Sequence, residues 1–464
     1  MQRQARISAI FRLAYPIVIA QLGSIMQGWA DTIMVGQYGT PELSAAGFVN
    51  NVFNLCIYFL LGISYATTPI VGNYFSQGKY ACVLRTLRES NVVNLLVSLV
   101  VALLLLILYL NIDRLGQPAE LLPLMRPYFI VLLISLPFMA LFNSMKQFFD
   151  ALGDTKTPMW IMIGSNILNF ILNYLLIFTL NQGLLGAGLA TCISRLLMPL
   201  SAYVALRRGS LLRSANFQQA AHTIRSTRPT NKKHNNIFSR FLSSPFAPRG
   251  EGMLSLLKLG LPISIQMCLE AGSFNVVAIF MGWIGAAALA AHQIMGTVST
   301  LGFMVYYGIG AAAAIRIAYF RGQDEWDEVS KTARAALGMS LISGVLISLL
   351  ISLGGSFIAP IFTTSHHVAL LFLSFLPCFV AYQIGDCLQT IYANALRAIA
   401  HVRAMMLYAF IAYCLISVPL AYVFAFPLGM GAVGIWWSFP FGLTTAGLCY
   451  YFQFRSCTRK MTKD

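Results

Sequence analysis

The sequence predicts an all-α integral membrane protein, with twelve transmembrane helices in two pseudo-symmetric six-helix bundles. Three observations carry this. Of 464 residues, 58% are hydrophobic and only 10% charged; soluble domains run at about 45–50% and about 25%. Apolar runs of about 20 residues, long enough to cross the hydrocarbon core, recur along the chain, as at Asn91–Leu110, Pro127–Phe148, Ile161–Leu180 and Ala404–Phe426. The second half of the chain also repeats the first.

Helices are expected near 13–36, 45–73, 91–111, 127–148, 158–180, 185–206, 254–281, 288–320, 333–352, 367–392, 404–426 and 431–453. The N-terminus carries Arg3, Arg6 and Arg12 and then a full-length apolar span without a small-residue cleavage site, which reads as a first transmembrane helix rather than a signal peptide. An even helix count puts both termini on one side. The loops of that side hold Lys79, Arg85, Arg88, Lys156, Arg321, Lys331, Arg397 and Arg403, while the other side keeps only Arg114 and Arg126. This asymmetry predicts cytoplasmic termini. The net charge of +16 is therefore a topology signal, and nucleic acid is rejected as a partner. Nine cysteines, mostly in apolar spans and without a CxxC pair, read as small packing residues.

The repeat is visible residue by residue. Pro16 matches Pro262, Gly36 matches Gly282, Leu43 matches Leu289 and Gly62 matches Gly308, each pair separated by 246 positions (262 less 16). Near the ends of the halves, Tyr174 parallels Tyr422 and Gly186 parallels Gly434. Two halves of the same orientation are one recurring transporter plan, with substrate expected between them near the midplane. The domains are then 1–206, a basic cytoplasmic linker 207–252 expected to be disordered, and 253–464. No polar stretch is long enough for an enzyme domain, and no Ser/His/Asp constellation, metal-ligand cluster or nucleotide loop is present. The chain reads as no enzyme and as needing no cofactor.

Of fifteen carboxylates, all but three fall in expected loops or span ends. The three are Asp31, Glu270 and Asp386. Each costs about 2.5–3.5 kcal/mol at a helix centre on insertion scales, which marks them as candidates for binding a cation, a proton or a charged substrate. A structural ion pair with Arg195 or Arg316 is the plain alternative. Tyr382 lies one turn before Asp386, on its helix face. The pair offers hard oxygen donors suited to an alkali cation, or simply satisfies itself by a hydrogen bond. Asn166, Asn169 and Asn173 share one face. Amides facing a polar cavity and amides bonding to a neighbouring helix both fit this face; the reading leans to helix–helix bonding for Asn166 and to a cavity for Asn169 and Asn173. His292 reads as structural. Pro16 and Pro262 would kink the paired opening helices of the two halves.

The segments LAYPIVIAQ, LGLPISIQ, ADTIMVGQYG, AALAAHQI, ALGDTKTP and ALRAIAHVR resemble the multidrug and toxic compound extrusion family, the MATE transporters, and within it the NorM branch. The likeness runs over both halves. It implies two six-helix bundles in a V with a central cavity, and efflux driven by inward sodium or protons. It also implies that Glu270, Tyr382 and Asp386 form a cation-coupling group, holding Na+ if sodium is the ion, and that Asp31 is the first-helix aspartate of the family. Asn169 and Asn173 fall where another branch has Asn-xxx-Asp in a substrate or proton site of the N-terminal half. Asn173 cannot titrate, which favours coupling in the C-terminal half. A monomer in the bacterial inner membrane, in contact with lipid and handling small organic cations, is expected. The rival within the superfamily is a lipid-linked oligosaccharide flippase, which would call for several cavity arginines or lysines.

Overall fold

The computed structural model describes residues 3–115, 118–209, 250–363 and 365–462. The described chain is helical throughout, without strands. Its helices are α1 (Arg3–Tyr38), α2 (Thr40–Tyr65), α3 (Thr67–Ser76), α4 (Tyr80–Leu110), α5 (Leu122–Ala151), α6 (Lys156–Asn173), α7 (Gly183–Arg208), α8 (Gly250–Ile284), α9 (Ala286–Gly322), α10 (Trp326–Phe362), α11 (His366–Ser374), α12 (Leu376–Ala398), α13 (Arg403–Ala409), α14 (Val418–Ala425) and α15 (Gly431–Met461). Every expected span is present. Among the described residues, ten rods are long and apolar enough to cross a membrane. The α11–α12 pair, bent by 41°, qualifies as an eleventh. The 31-residue α15 is less apolar but long enough to be the twelfth. Most of the linker 207–252 lies outside the described residues; α7 reaches Arg208 and α8 begins at Gly250.

Proline marks two places where the helices are irregular. Pro377 opens α12 just after the bend, and Pro419 opens α14 after a π-helical stretch, Phe410–Ser417. A residue without an N–H fits the first turn of a helix and breaks the bonding of the turn before it. Pro16 and Pro262, by contrast, sit inside continuous helices.

The packing follows the rules of an apolar solvent. On α10 the large side chains Leu350, Leu353, Phe357 and Ile361 are the exposed ones, while Gly344, Ser348, Gly355 and Ala359 are buried. Lipid tails are as apolar as leucine, so burying leucine gains little, and small residues that let backbones approach face inward.

The chain packs as two compact units, Ile19–Ser264, and Met1–Val18 with Ile265–Asp464. The division falls two residues after Pro16 and two after Pro262, inside α1 and α8. It differs from a division at the linker: the start of α1 packs with the later helices, and the start of α8 with the earlier ones. The repeated glycines mark these contacts. A Cβ on Gly62 of α2 would stand 2.4 Å from Ser264 Cα on α8. A Cβ on Gly308 of α9 would stand 2.3 Å from Val18 Cγ2 on α1. Val18 and Ser264 are themselves separated by 246 positions, so the two contacts are repeat equivalents. Ser264 adds a hydrogen bond from its Oγ to the Phe59 carbonyl at 2.6 Å.

Gly62 meets backbone, which cannot swing aside, whereas Gly308 meets the tip of a side chain. Gly62→Ala is therefore expected to cost about 1–3 kcal/mol and Gly308→Ala less. Thermal unfolding of the purified protein in detergent should show the larger fall in melting temperature for Gly62→Ala.

Candidate ion-coupling site

In the Ile265–Asp464 part of the chain, α8 and α12 meet at Glu270. The carboxylate is held on both oxygens. Gln389 Nε2 donates to Oε1 at 2.7 Å, and Gln266 Nε2 donates to Oε2 at 2.8 Å. Gln266 is one turn before Glu270 on α8. Arg397, from the last turn of α12, donates from Nη2 to Gln266 Oε1 at 2.6 Å. Gln266 is fully buried, and Arg397 and Gln389 nearly so. A Cβ on Gly447 of α15 would lie 2.9 Å from the Gln389 backbone nitrogen. That glycine lets α15 seat directly against the part of α12 that carries the site.

Asp386 is 5% exposed and accepts a long hydrogen bond from Thr390 Oγ1 at 3.4 Å. It lies within electrostatic range of Glu270, so two carboxyl groups share one field in an apolar bundle. Tyr382 is buried one turn before Asp386 and within its field. Its ring packs at 5.4 Å from Phe379 and 6.2 Å from Trp436. Gln383, next to it, accepts a hydrogen bond from the Tyr306 hydroxyl on α9. The structure thus brings Glu270, Asp386 and Tyr382 into one cluster. Arg316 is not part of it: its guanidinium stacks 5.0 Å from the Phe320 ring. The buried base of this cluster is Arg397.

The Ile19–Ser264 unit holds the other three candidates. Asn173 Nδ2 donates to Asp31 Oδ1 and reaches Asn169 Oδ1 at 3.2 Å. Asn169 Nδ2 reaches Thr191 Oγ1 on α7 at 3.5 Å. Arg195 lies within electrostatic range of Asp31 and donates to Ser135 Oγ at 2.9 Å. Tyr128 shares that field and donates to Asn50 Oδ1 at 3.0 Å. Asp31, Asn169 and Asn173 form one hydrogen-bonded chain. The hydrogen bonding of the asparagines departs from the sequence reading. Asn169 and Asn173 are 0% exposed and carry the bonds within and between helices. Both amide atoms of Asn166, assigned to helix bonding, are buried without a hydrogen-bond partner. Spacing put the three on one face but could not say which of them meet a hydrogen-bonding group.

The MatE family model matches residues 16–175 and 262–423. This chain belongs to the MatE family. The two matched stretches begin 246 positions apart (262 less 16), the offset of the internal repeat. The family is one of transporters rather than enzymes. Among relatives, the chain is 30% identical to the probable multidrug resistance protein NorM of Bradyrhizobium diazoefficiens, over 97% of this chain and 93% of that one. It is 26% identical to the multidrug resistance protein NorM of Vibrio vulnificus, over 92% and 91%. Among solved structures, it superposes on a multidrug resistance MATE family transporter in an outward-facing conformation with a TM-score of 0.84, at 20% identity over 99% and 97% of the two chains. A MOP superfamily transporter from Pyrococcus furiosus gives 0.81, at 19% identity over 99% and 97%. These likenesses establish the MatE fold.

Several polar residues escaped the sequence reading. Glu89 and Asp150 were placed in loops or at span ends. They are 5% and 4% exposed, because α4 starts at Tyr80 and α5 runs to Ala151. Lys146 pairs with Asp150 at 2.9 Å, one turn apart inside α5. Arg397, expected in a cytoplasmic loop, is buried in the last turn of α12, and Gln266 and Gln389 carry no signal in hydropathy. Their signal was present in the spacing: Gln266 lies four positions before Glu270, and Gln389 three after Asp386, which puts each on a carboxylate's own face.

Replacing Asn173 by Leu removes a donor from a carboxylate, a bond worth about 1.5–3 kcal/mol. Asn166→Leu removes no hydrogen bond. Unfolding in detergent should show Asn173→Leu clearly destabilised, and Asn166→Leu unchanged or more stable.

Proposed function

We propose that this chain is a secondary active exporter of small organic, mostly cationic compounds, driven by inward movement of Na+ or H+ through alternating access. The observation that carries this reading is the Glu270–Asp386 pair. Two carboxylates within each other's field inside a membrane bundle are costly and are retained where they bind something positive. Tyr382 adds a hydroxyl and an aromatic face to the same cluster. The names of the NorM relatives, matched almost end to end, agree with an exporter of varied compounds. Broad selection by charge and apolar surface suits that role.

The chemistry of exchange is competition. A small cation or proton on the carboxylates neutralises the charge that would hold an organic cation, and the organic cation does the converse. If one ion lowers the affinity for the other, the effect is reciprocal, and alternating exposure turns that antagonism into antiport. Asp31 is a second acidic position, in the other unit. Its partner Asn173 cannot release a proton, so the reading puts coupling at Glu270 and Asp386. The protein acts as a monomer in the bacterial inner membrane, surrounded by lipid, with both termini cytoplasmic. The basic loops listed in the sequence support that orientation. No group of arginines and lysines gathers at the described carboxylate clusters as a pyrophosphate-linked substrate would require; Arg195 and Arg397 stand singly.

Efflux of a fluorescent organic cation from proteoliposomes tests the reading, with sodium and proton gradients imposed separately. Glu270→Gln and Asp386→Asn should each reduce gradient-driven efflux by about tenfold or more, while Asp31→Asn leaves the driving ion unchanged. Wild-type-like efflux in both C-terminal variants would overturn the assignment.

A further inference from the structure

Gln266 has a defined orientation, and chemistry fixes it. A guanidinium has donors only. With Arg397 Nη2 at 2.6 Å, the atom of Gln266 facing it must be the amide oxygen. The NH2 end must then face Glu270, where it donates at 2.8 Å. Gln389 also turns its NH2 to the carboxylate, at 2.7 Å. Both oxygens of Glu270 are therefore met by hydrogens. A sodium ion takes oxygen ligands, and an amide NH2 in its shell would repel it. A protonated carboxyl would likewise want an acceptor opposite its new O–H.

Both needs are met by one motion. Turning a glutamine amide half round about its terminal torsion exchanges NH2 for C=O with almost no change of shape, and that torsion is soft. Gln389 and Gln266, so turned, would set two carbonyl oxygens beside the two carboxylate oxygens. Gln266 cannot turn while Arg397 holds its oxygen. If it turned, its NH2 would face the guanidinium donors, and Arg397 would have to withdraw.

We propose that Arg397 is a lock on the coupling site, that Gln266 is the switch it holds, and that Gln266 and Gln389 become oxygen ligands of the coupling ion when the lock opens. This rests on the reading that Glu270 binds that ion. The locked and ion-bound arrangements exclude one another, so Arg397 opposes ion binding through the amide between them. Its place in the last turn of α12 ties the site to the loop that follows. The other titratable groups facing Glu270 are Asp386 on α12, Tyr413 of the π-helical stretch and Tyr450 on α15. They stay in place in both arrangements.

The lock makes a prediction of opposite signs. Arg397→Gln removes the lock and leaves the ligands, so the ion should bind more tightly. Gln266→Leu removes lock and ligand together, so it should bind more weakly. An arginine that only braced the fold would give shifts of one sign. In proteoliposomes loaded with the fluorescent cation, the half-saturating Na+ concentration should fall about tenfold in Arg397→Gln and rise about tenfold in Gln266→Leu, with Arg397→Lys close to wild type. The shift in melting temperature on adding NaCl, measured on detergent-purified protein, reads Na+ binding without transport and excludes a misfolded variant. Same-sign shifts, or an unchanged Arg397→Gln, would overturn the lock while leaving the coupling site intact. Wild-type protein moving no dye under either gradient, or a Glu270→Gln variant equal to wild type, would instead remove the functional reading beneath it.

Discussion

A carboxylate inside a bundle surrounded by lipid needs a partner at each oxygen, and the arrangement around Glu270 follows from meeting that need. Gln266 and Gln389 cover its two oxygens, and Arg397 fixes the direction of one of these amides. Gly447 brings α15 close enough to seat Gln389. Asp386 then sits within the field of the same charge. Each feature would be an unexplained cost alone; together they keep a charged group inside a medium that resists it. Amides can reverse, whereas a direct Arg–Glu pair could not. In the proposed function that difference separates a binding site from a structural ion pair. Lys146 and Asp150, bonded directly one turn apart in α5, show the structural kind in the same protein.

The second constraint is the backbone. No water in the bilayer core can satisfy an open N–H or C=O, so the chain must be helical wherever it crosses. Proline accompanies two of the irregularities, the bend before Pro377 and the π-helical stretch before Pro419. Packing then relies on close approach rather than on hydrophobic burial. The paired contacts of Gly62 with Ser264 and Gly308 with Val18 show the repeat acting as a physical object: one contact, made twice by equivalent residues. Because the compact units divide just past Pro16 and Pro262, the start of each half's first helix packs among helices of the other half's sequence.

Much of this was legible in the sequence, for definite reasons. Apolar length and helix period are local properties, so all twelve rods could be placed from composition. The repeat was visible because equivalent contacts demand equivalent glycines. Intramembrane carboxylates stand out against an apolar background, so Glu270, Asp386 and Asp31 could be named; helical spacing added Tyr382, Asn169 and Asn173, and the family likeness suggested their roles. Glu89 and Asp150 were missed because span ends were set by hydropathy, while the helices run several residues further. The asparagines divide otherwise than expected because a shared helical face does not say which of its amides meets a hydrogen-bonding group: Asn169 and Asn173 do, and the buried amide of Asn166 does not.

What the sequence by itself determined was the set of rods, their repetition and the identity of the residues too polar for their setting. These depend on solvation, which each residue feels separately. Only the tertiary structure decided which groups answer those residues. That Arg397 reaches Gln266 across 131 positions, and that Gln389 meets Glu270 across 119, depends on how α12 lies against α8. So does the direction of the Gln266 amide. A hydrogen bond needs two atoms within about 3 Å, and no pattern along a chain fixes a distance of that kind between helices so far apart in sequence.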